Sequence, residues 1–161
     1  MRVIIVDKED EVIGEKDRSA LTREDIYRVS ALWATNSRGE ILLARRAQDK
    51  IHDPGKWGPA TSGSVSVGDG YYTSILKRAK EEIGLEHFAC KRLHLFRRSH
   101  KYNYFCQWYK TAVDKRAEEF IIDKNEVEEV RWFSRPELLA DIEKNPNKYL
   151  SAMGLYLEMF K

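Results

Sequence analysis

The chain has 161 residues, 42% hydrophobic and 34% charged, which makes it long enough to bury a core, too apolar for a disordered chain and too interrupted for a membrane-spanning one. Its 28 Lys and Arg against 26 Asp and Glu leave a net charge of +2, so the overall field neither demands nor excludes an anionic partner, and phosphate chemistry must come from local clusters. Two cysteines, Cys90 and Cys106, are too few for a disulfide framework or a zinc site and are expected as reduced core residues.

No apolar run approaches the roughly 18 residues that span a bilayer. The opening MRVIIVDKEDEV turns acidic where a secretory signal would continue apolar, so one cytoplasmic domain over residues 1–161 is expected. Val3 to Val6, a charged turn at Lys8-Glu9-Asp10 and Val12-Ile13 predict an amino-terminal hairpin. Residues 26–35 alternate and then turn at Asn36-Ser37-Arg38-Gly39 into Ile41-Leu42-Leu43, a second hairpin. Residues 46–63, punctuated by His52-Asp53-Pro54-Gly55 and Gly58-Pro59, read as a long exposed loop, and such loops often carry function.

After Gly68-Asp69-Gly70 the period changes to 3.6. Tyr72, Ile75, Leu76, Ala79 and Ile83 form one helical stripe that Gly84 terminates. Residues 102–113 and 127–133 read as strands, the first with its aromatic residues on one face, and 114–125 as a charged surface connection. Ser134-Arg135-Pro136-Glu137 is a capping box, and Asn145-Pro146 opens a final helix. Strands mixed with segregated helices in this order predict an α+β fold, an α/β/α sandwich around a mixed central sheet.

The segment that carries chemistry is Gly63 to Leu85, GSVSVGDGYYTSILKRAKEEIGL. It resembles the Nudix box, GX5EX7REUXEEXGU with U aliphatic. Gly63 takes the first position, Asp69 stands for the first Glu, Lys77 for Arg, Arg78 for the second Glu and Ala79 for U, followed by Glu81, Glu82, Gly84 and Leu85. A loop followed by a helix presents carboxylates at spacings of three and four, so hard oxygen ligands can converge on a Mg2+ that bridges a diphosphate. The resemblance therefore implies Gly63, Glu81 and Glu82 as ligands of Mg2+ or Mn2+. Arg78 puts a cation where the family's hydrolases place an acidic ligand, and it lies three and four residues before Glu81 and Glu82, within pairing reach of both.

The early hairpin, the Trp-bearing strand, the paired arginines Arg45-Arg46, the PGKW loop and the box together resemble the isopentenyl diphosphate isomerase-like branch of the Nudix superfamily. That branch also has Arg at the position of Arg78, and the basic residues that grip its diphosphate match Lys16, Arg46, Lys50 and Arg78. Its catalytic Cys corresponds to Ser62 and a metal-binding His to Ser64. Another metal His falls near Tyr27, and an acidic pair falls near Tyr102 and Tyr104, so allylic proton transfer lacks an evident donor and acceptor.

The resulting expectation is a Mg2+-dependent hydrolase of a diphosphate linkage in a nucleoside diphosphate derivative or similar small molecule. Glu82, Glu81 and Glu126 are its catalytic carboxylates, with Glu126, before Trp132, as the acid outside the box. The rival readings are a catalytically weakened diphosphate-binding or regulatory module and, disfavoured by Ser62 and Ser64, an isomerase-like enzyme. Trp57 is expected as a core lid, and the four histidines as surface or loop residues. Lys91-Arg92, Arg97-Arg98 and Lys101 are scattered strand charges with no RNA-module motif, which argues against a nucleic-acid partner. The sequence leaves a homo-oligomer open.

Overall fold

A computed structural model describes all 161 residues. In chain order the elements are β1 (Arg2–Val6), β2 (Val12–Asp17), β3 (Ile26–Thr35), β4 (Ile41–Arg46), β5 (Trp57–Pro59), β6 (Thr61–Ser64), α1 (Tyr71–Ile83), β7 (Lys91–Ser99), β8 (Asn103–Ala112), β9 (Val127–Phe133), α2 (Arg135–Lys144) and α3 (Met153–Met159). No helix is long and apolar enough to cross a membrane.

The strand β3 organises the sheet. Along one edge it pairs in parallel with β8, from Tyr27↔Tyr104 to Thr35↔Ala112. The other edge is shared by β1 at residues 26–27, β6 at 29–32 and β4 at 34–35, all antiparallel. Two antiparallel partners, β5 and β9, flank β4. The central strands β3 and β4 are buried on both faces, β2 and β7 are largely exposed, and alternation sorts the side chains of the core. Ala31, Trp33, Ile41, Leu43 and Trp108 meet Leu138 of α2, Met153 and Leu157 of α3, and Phe160 just past α3. Leu32, Ala34, Leu42, Ala44 and Tyr109 meet Ile75, Ala79 and Ile83 from α1. The result is the expected α/β/α sandwich.

Both hairpins form where the sequence places them. In the second, the Asn36 side chain accepts from the amides of Arg38 and Glu40, and Gly39 takes φ +74°. The predicted loop 46–63 holds two short strands, β5 and β6, of three and four residues. With a Gly in each and a Pro closing β5, they are too short for an alternation to register. The aromatic residues of β8 do not share a face: Trp108 and Tyr104 pack toward α2 and α3, while Tyr109 joins the α1 side and Phe105 packs with Val65. The 114–125 connection is exposed for most of its length but buries Phe120 against the α1 layer.

Gly84 caps α1 in the left-handed conformation, φ +66°. Within α1, Tyr72 is exposed, and Ser74 and Glu82 join Ile75, Ala79 and Ile83 on the buried side. The Ser134 hydroxyl accepts the Glu137 amide at the start of α2. Asn145-Pro146 opens only a 3-10 turn, Pro146–Lys148; Tyr149 then bridges to Trp57, and the last helix starts at Met153. An extended Tyr149 cannot continue a helix, and its burial beside Trp57 is what breaks the run.

Candidate active site

One cavity, of about 290 Å³, gathers most of the residues singled out above. Its floor is β5 and β6, one wall is α1, and the opposite wall is the end of β4 with the turn before β9. Gly63, Arg46, Lys50, Arg78, Glu82, Glu126 and Ser62 all line it, as does Arg18, which sequence reasoning missed. Arg18 follows β2, and the hairpin register that carries it there leaves no local signal.

On α1, Arg78 and Glu82 form an ion pair one helical turn apart, Nη1 to Oε1 at 3.2 Å, with side chains 20% and 11% exposed. The other terminal nitrogen of Arg78 donates to the Ser64 carbonyl at 2.6 Å. The guanidinium lies against Gly63 so closely that a Cβ on this glycine would stand 2.2 Å from Cζ. Glu82 Oε2 accepts the buried Thr61 hydroxyl at 2.6 Å. Burial pushes the Glu82 carboxyl above its ordinary range; the Thr61 bond and the Arg78 charge oppose this, and the Glu126 charge adds to it. Thr61 is a second residue that the sequence reading passed over. The available signal is its period-two relation to Gly63 on β6.

Across the cavity, Lys50 Nζ contacts the Glu126 carboxylate, and the Ala47 amide donates to the Glu126 carbonyl. A register shift at Arg45/Arg46 marks where β4 leaves its regular pairing with β9. The loop that follows closes on Arg46: the Arg46 amide donates to Lys56 O, its carbonyl accepts from Gly55, and its Nε donates to His52 O at 2.9 Å.

Two predicted site residues are not brought together with the rest. Lys16 is bound to Asp25 at 2.8 Å and does not line the cavity; Arg18 does. Glu81 is exposed beside Gly84, Glu86 and Asp123, outside the cavity. Consecutive helical residues diverge by about 100°, so only one of the pair Glu81-Glu82 can face β6. Trp57 is core, edge-on to Phe133. No thiol lines the cavity. Cys106 is buried, and burial pushes its thiol up to about 12. Tyr27 and Tyr104 pack with their rings tilted at 49° and centroids 5.6 Å apart.

A family model for the NUDIX domain matches residues 26–153. The chain belongs to the Nudix family. Among relatives of this Nudix chain, an uncharacterized Nudix hydrolase of Yersinia pestis is 26% identical, over 96% of this chain and 85% of its own length. An isopentenyl-diphosphate Delta-isomerase 2 of Photorhabdus laumondii is 24% identical, over 91% and 85%. An isopentenyl-diphosphate Delta-isomerase of an Enterobacter strain is 31% identical, but the match spans only 52% of this chain and 47% of the relative. A crystal structure of a Deinococcus radiodurans Nudix protein superposes with a TM-score of 0.85 at 24% identity, over 99% and 98% of the two chains. The NUDIX domain of Shewanella oneidensis NrtR, complexed with ADP ribose, gives 0.59 at 15% identity, over 78% of this chain and 82% of that one. These likenesses establish the fold.

Nudix proteins generally use divalent ions such as Mg2+. The donor set of this cavity does not fit one. Both oxygens of Glu82 are engaged, by Arg78 and Thr61; Glu126 is engaged by Lys50; Glu81 faces elsewhere. No group of three or more His, Cys, Asp or Glu side chains is placed to hold a metal.

Proposed function

We propose that this Nudix chain hydrolyses a diphosphate linkage in a small phosphorylated molecule, a nucleoside diphosphate derivative or a compound of the same anionic class. The observation that carries the reading is the convergence of Arg18, Arg46, Lys50 and Arg78 with two carboxylates in a single cavity. At about 290 Å³, the cavity lies at the low end of the roughly 300–1,000 Å³ of small-molecule sites. It suits the diphosphate, with the remainder of the ligand reaching out through the mouth.

Charge develops on phosphoryl oxygens as water attacks, and fixed cations that need no reorganisation stabilise it. Arg46, Lys50 and Arg78 supply those cations. Glu126, half exposed at the cavity wall and held by Lys50, is the base toward the attacking water. Glu82, buried on α1, is a positioning residue that orients the Arg78 guanidinium.

The test is a panel of diphosphates that includes nucleoside diphosphates, ADP-ribose and isopentenyl diphosphate, assayed for monophosphate or phosphate release with Mg2+, with Mn2+ and with a chelator. Turnover that Glu126→Gln lowers about 100-fold or more is the expected result. Binding of inorganic pyrophosphate without turnover of any compound replaces the hydrolase reading with that of a diphosphate-binding module. Conversion of isopentenyl diphosphate to its dimethylallyl isomer would return the isomerase reading, for which Ser62 offers a hydroxyl in place of the expected thiol.

A further inference from the structure

The cavity has a cation built into the place where the box would hold one. The guanidinium of Arg78 fills the space between the Gly63 backbone and Glu82, bound to the Ser64 carbonyl at 2.6 Å and to Glu82 at 3.2 Å. A divalent ion held by Gly63 and Glu82 would have to displace a positive charge from that spot. We propose that Arg78 replaces the metal as the electrostatic partner of the substrate, so that the cavity binds a diphosphate through its own guanidinium and ammonium groups and needs no divalent ion to do so. The proposal rests on the reading of the cavity as a diphosphate site and fixes how that site is charged.

Three features support it. Four cations and two carboxylates line the cavity, a net of +2, whereas a site that gathers carboxylates around a metal takes its positive charge from the ion. The carboxylates are also spent on internal partners, Glu82 on Arg78 and Thr61, Glu126 on Lys50. Arg78, finally, is under-bonded. Its Nε is buried without a partner, and only one bond is assigned to each terminal nitrogen, so a planar fork with five donors keeps N–H groups free while it lines the cavity. An anionic oxygen is the natural acceptor for them, and a cation is repelled.

Titration calorimetry on the full chain, with inorganic pyrophosphate as the probe, tests this. Pyrophosphate is expected to bind in excess chelator within about threefold of its affinity in Mg2+, and Mn2+ alone, followed by its electron paramagnetic signal, is expected not to bind at the site. Arg78→Met should weaken pyrophosphate binding in chelator by about tenfold or more, the loss of one charge-assisted contact. Arg78→Glu, which restores the acid of the box, should weaken it further and create Mn2+ binding, with far-UV circular dichroism confirming that both variants fold. Pyrophosphate binding that appears only with Mg2+ or Mn2+, or Mn2+ bound by the wild type and lost in Glu82→Gln, would overturn the inference while the diphosphate site stands. No pyrophosphate binding under any condition would overturn both.

Discussion

A methyl group added at Gly63 isolates the energetic role of the Arg78 seat. In Gly63→Ala the new Cβ would meet Arg78 Cζ at 2.2 Å, Nη1 at 2.4 Å and Nε at 2.6 Å. Gly63 does not have a positive φ, so the backbone itself tolerates alanine and the guanidinium is what must move. Moving it breaks the bonds to Ser64 O and to Glu82, whose side chains in the pair are only 20% and 11% exposed. Hydrogen bonds to charged groups contribute roughly 1.5–3 kcal/mol each, part of which a displaced, flexible guanidinium recovers from water, so the expected cost is about 2–3 kcal/mol. For a chain of this size that is a fall in Tm on the order of 5–10 °C. In an Arg78→Ala background the same methyl meets no guanidinium, and its effect should lie within about 0.5 kcal/mol of neutral. Urea unfolding of the wild type, the two single variants and the double variant closes the cycle, with an expected coupling of roughly 2–3 kcal/mol. Additive costs would show that the Gly63 position does not communicate with Arg78 and would remove the steric basis for reading the guanidinium as a resident cation.

Other perturbations test separate parts of the structure. Thr61→Val removes the bond that counters burial at Glu82, so the Glu82 titration, followed by carboxyl NMR, should move up. Because the folded carboxyl already titrates above the unfolded one, the fold loses stability as pH rises from the ordinary carboxylate range through the folded value, and the variant should lose more. Gly84→Ala forces a side chain into φ +66° with its Cβ 2.8 Å from the Ile121 carbonyl; a loss of about 2 kcal/mol or more by urea unfolding is expected, and a neutral result would refute the cap. Tyr149 and Asn145 donate to Asp141 and hold its carboxyl below the ordinary range. This stabilisation is present above the unfolded carboxyl pKa and is lost as pH falls through the lower folded value, so the gap in Tm between wild type and Tyr149→Phe should close in acid. A gap independent of pH would assign the effect to packing alone.

Local chemistry made part of this structure legible in the chain. The box helix announces itself through its stripe and Gly84, α2 through Ser134 and Glu137, and both hairpins through their turns. The same periodicity contains information that inspection of the box alone discards: Glu82 follows Ala79 by three residues on the buried face, and Glu81 falls off it. Other features depend on pairing between distant segments. Strand β6 exists because β3 has an open edge at residues 29–32. Arg18 reaches the cavity, and Lys16 does not, because Asp25 binds Lys16 and the hairpin sets where the chain emerges. The set of four bases proposed to bind a diphosphate is thus kept in number, with Arg18 in the place expected of Lys16.

The parallel pairing of β3 with β8 also spans the segment that supplies much of the cavity. Each residue of β3 from Tyr27 to Thr35 meets a partner 77 positions further along, as Tyr27 meets Tyr104. The whole of β6 and α1 lies inside that interval, so Gly63, Arg78 and Glu82 belong to a crossover whose ends meet only when the sheet closes. Such non-local pairing must offset a large loop-closure entropy before it is rewarded, which makes it slow to form. During synthesis more than a hundred residues must emerge before β3 has its main partner, and until then the buried row Leu32, Trp33 and Ala34 has an open edge. The cavity also takes Glu126 and Val127 from beyond β8, so its walls are complete only once the chain has passed through this crossover.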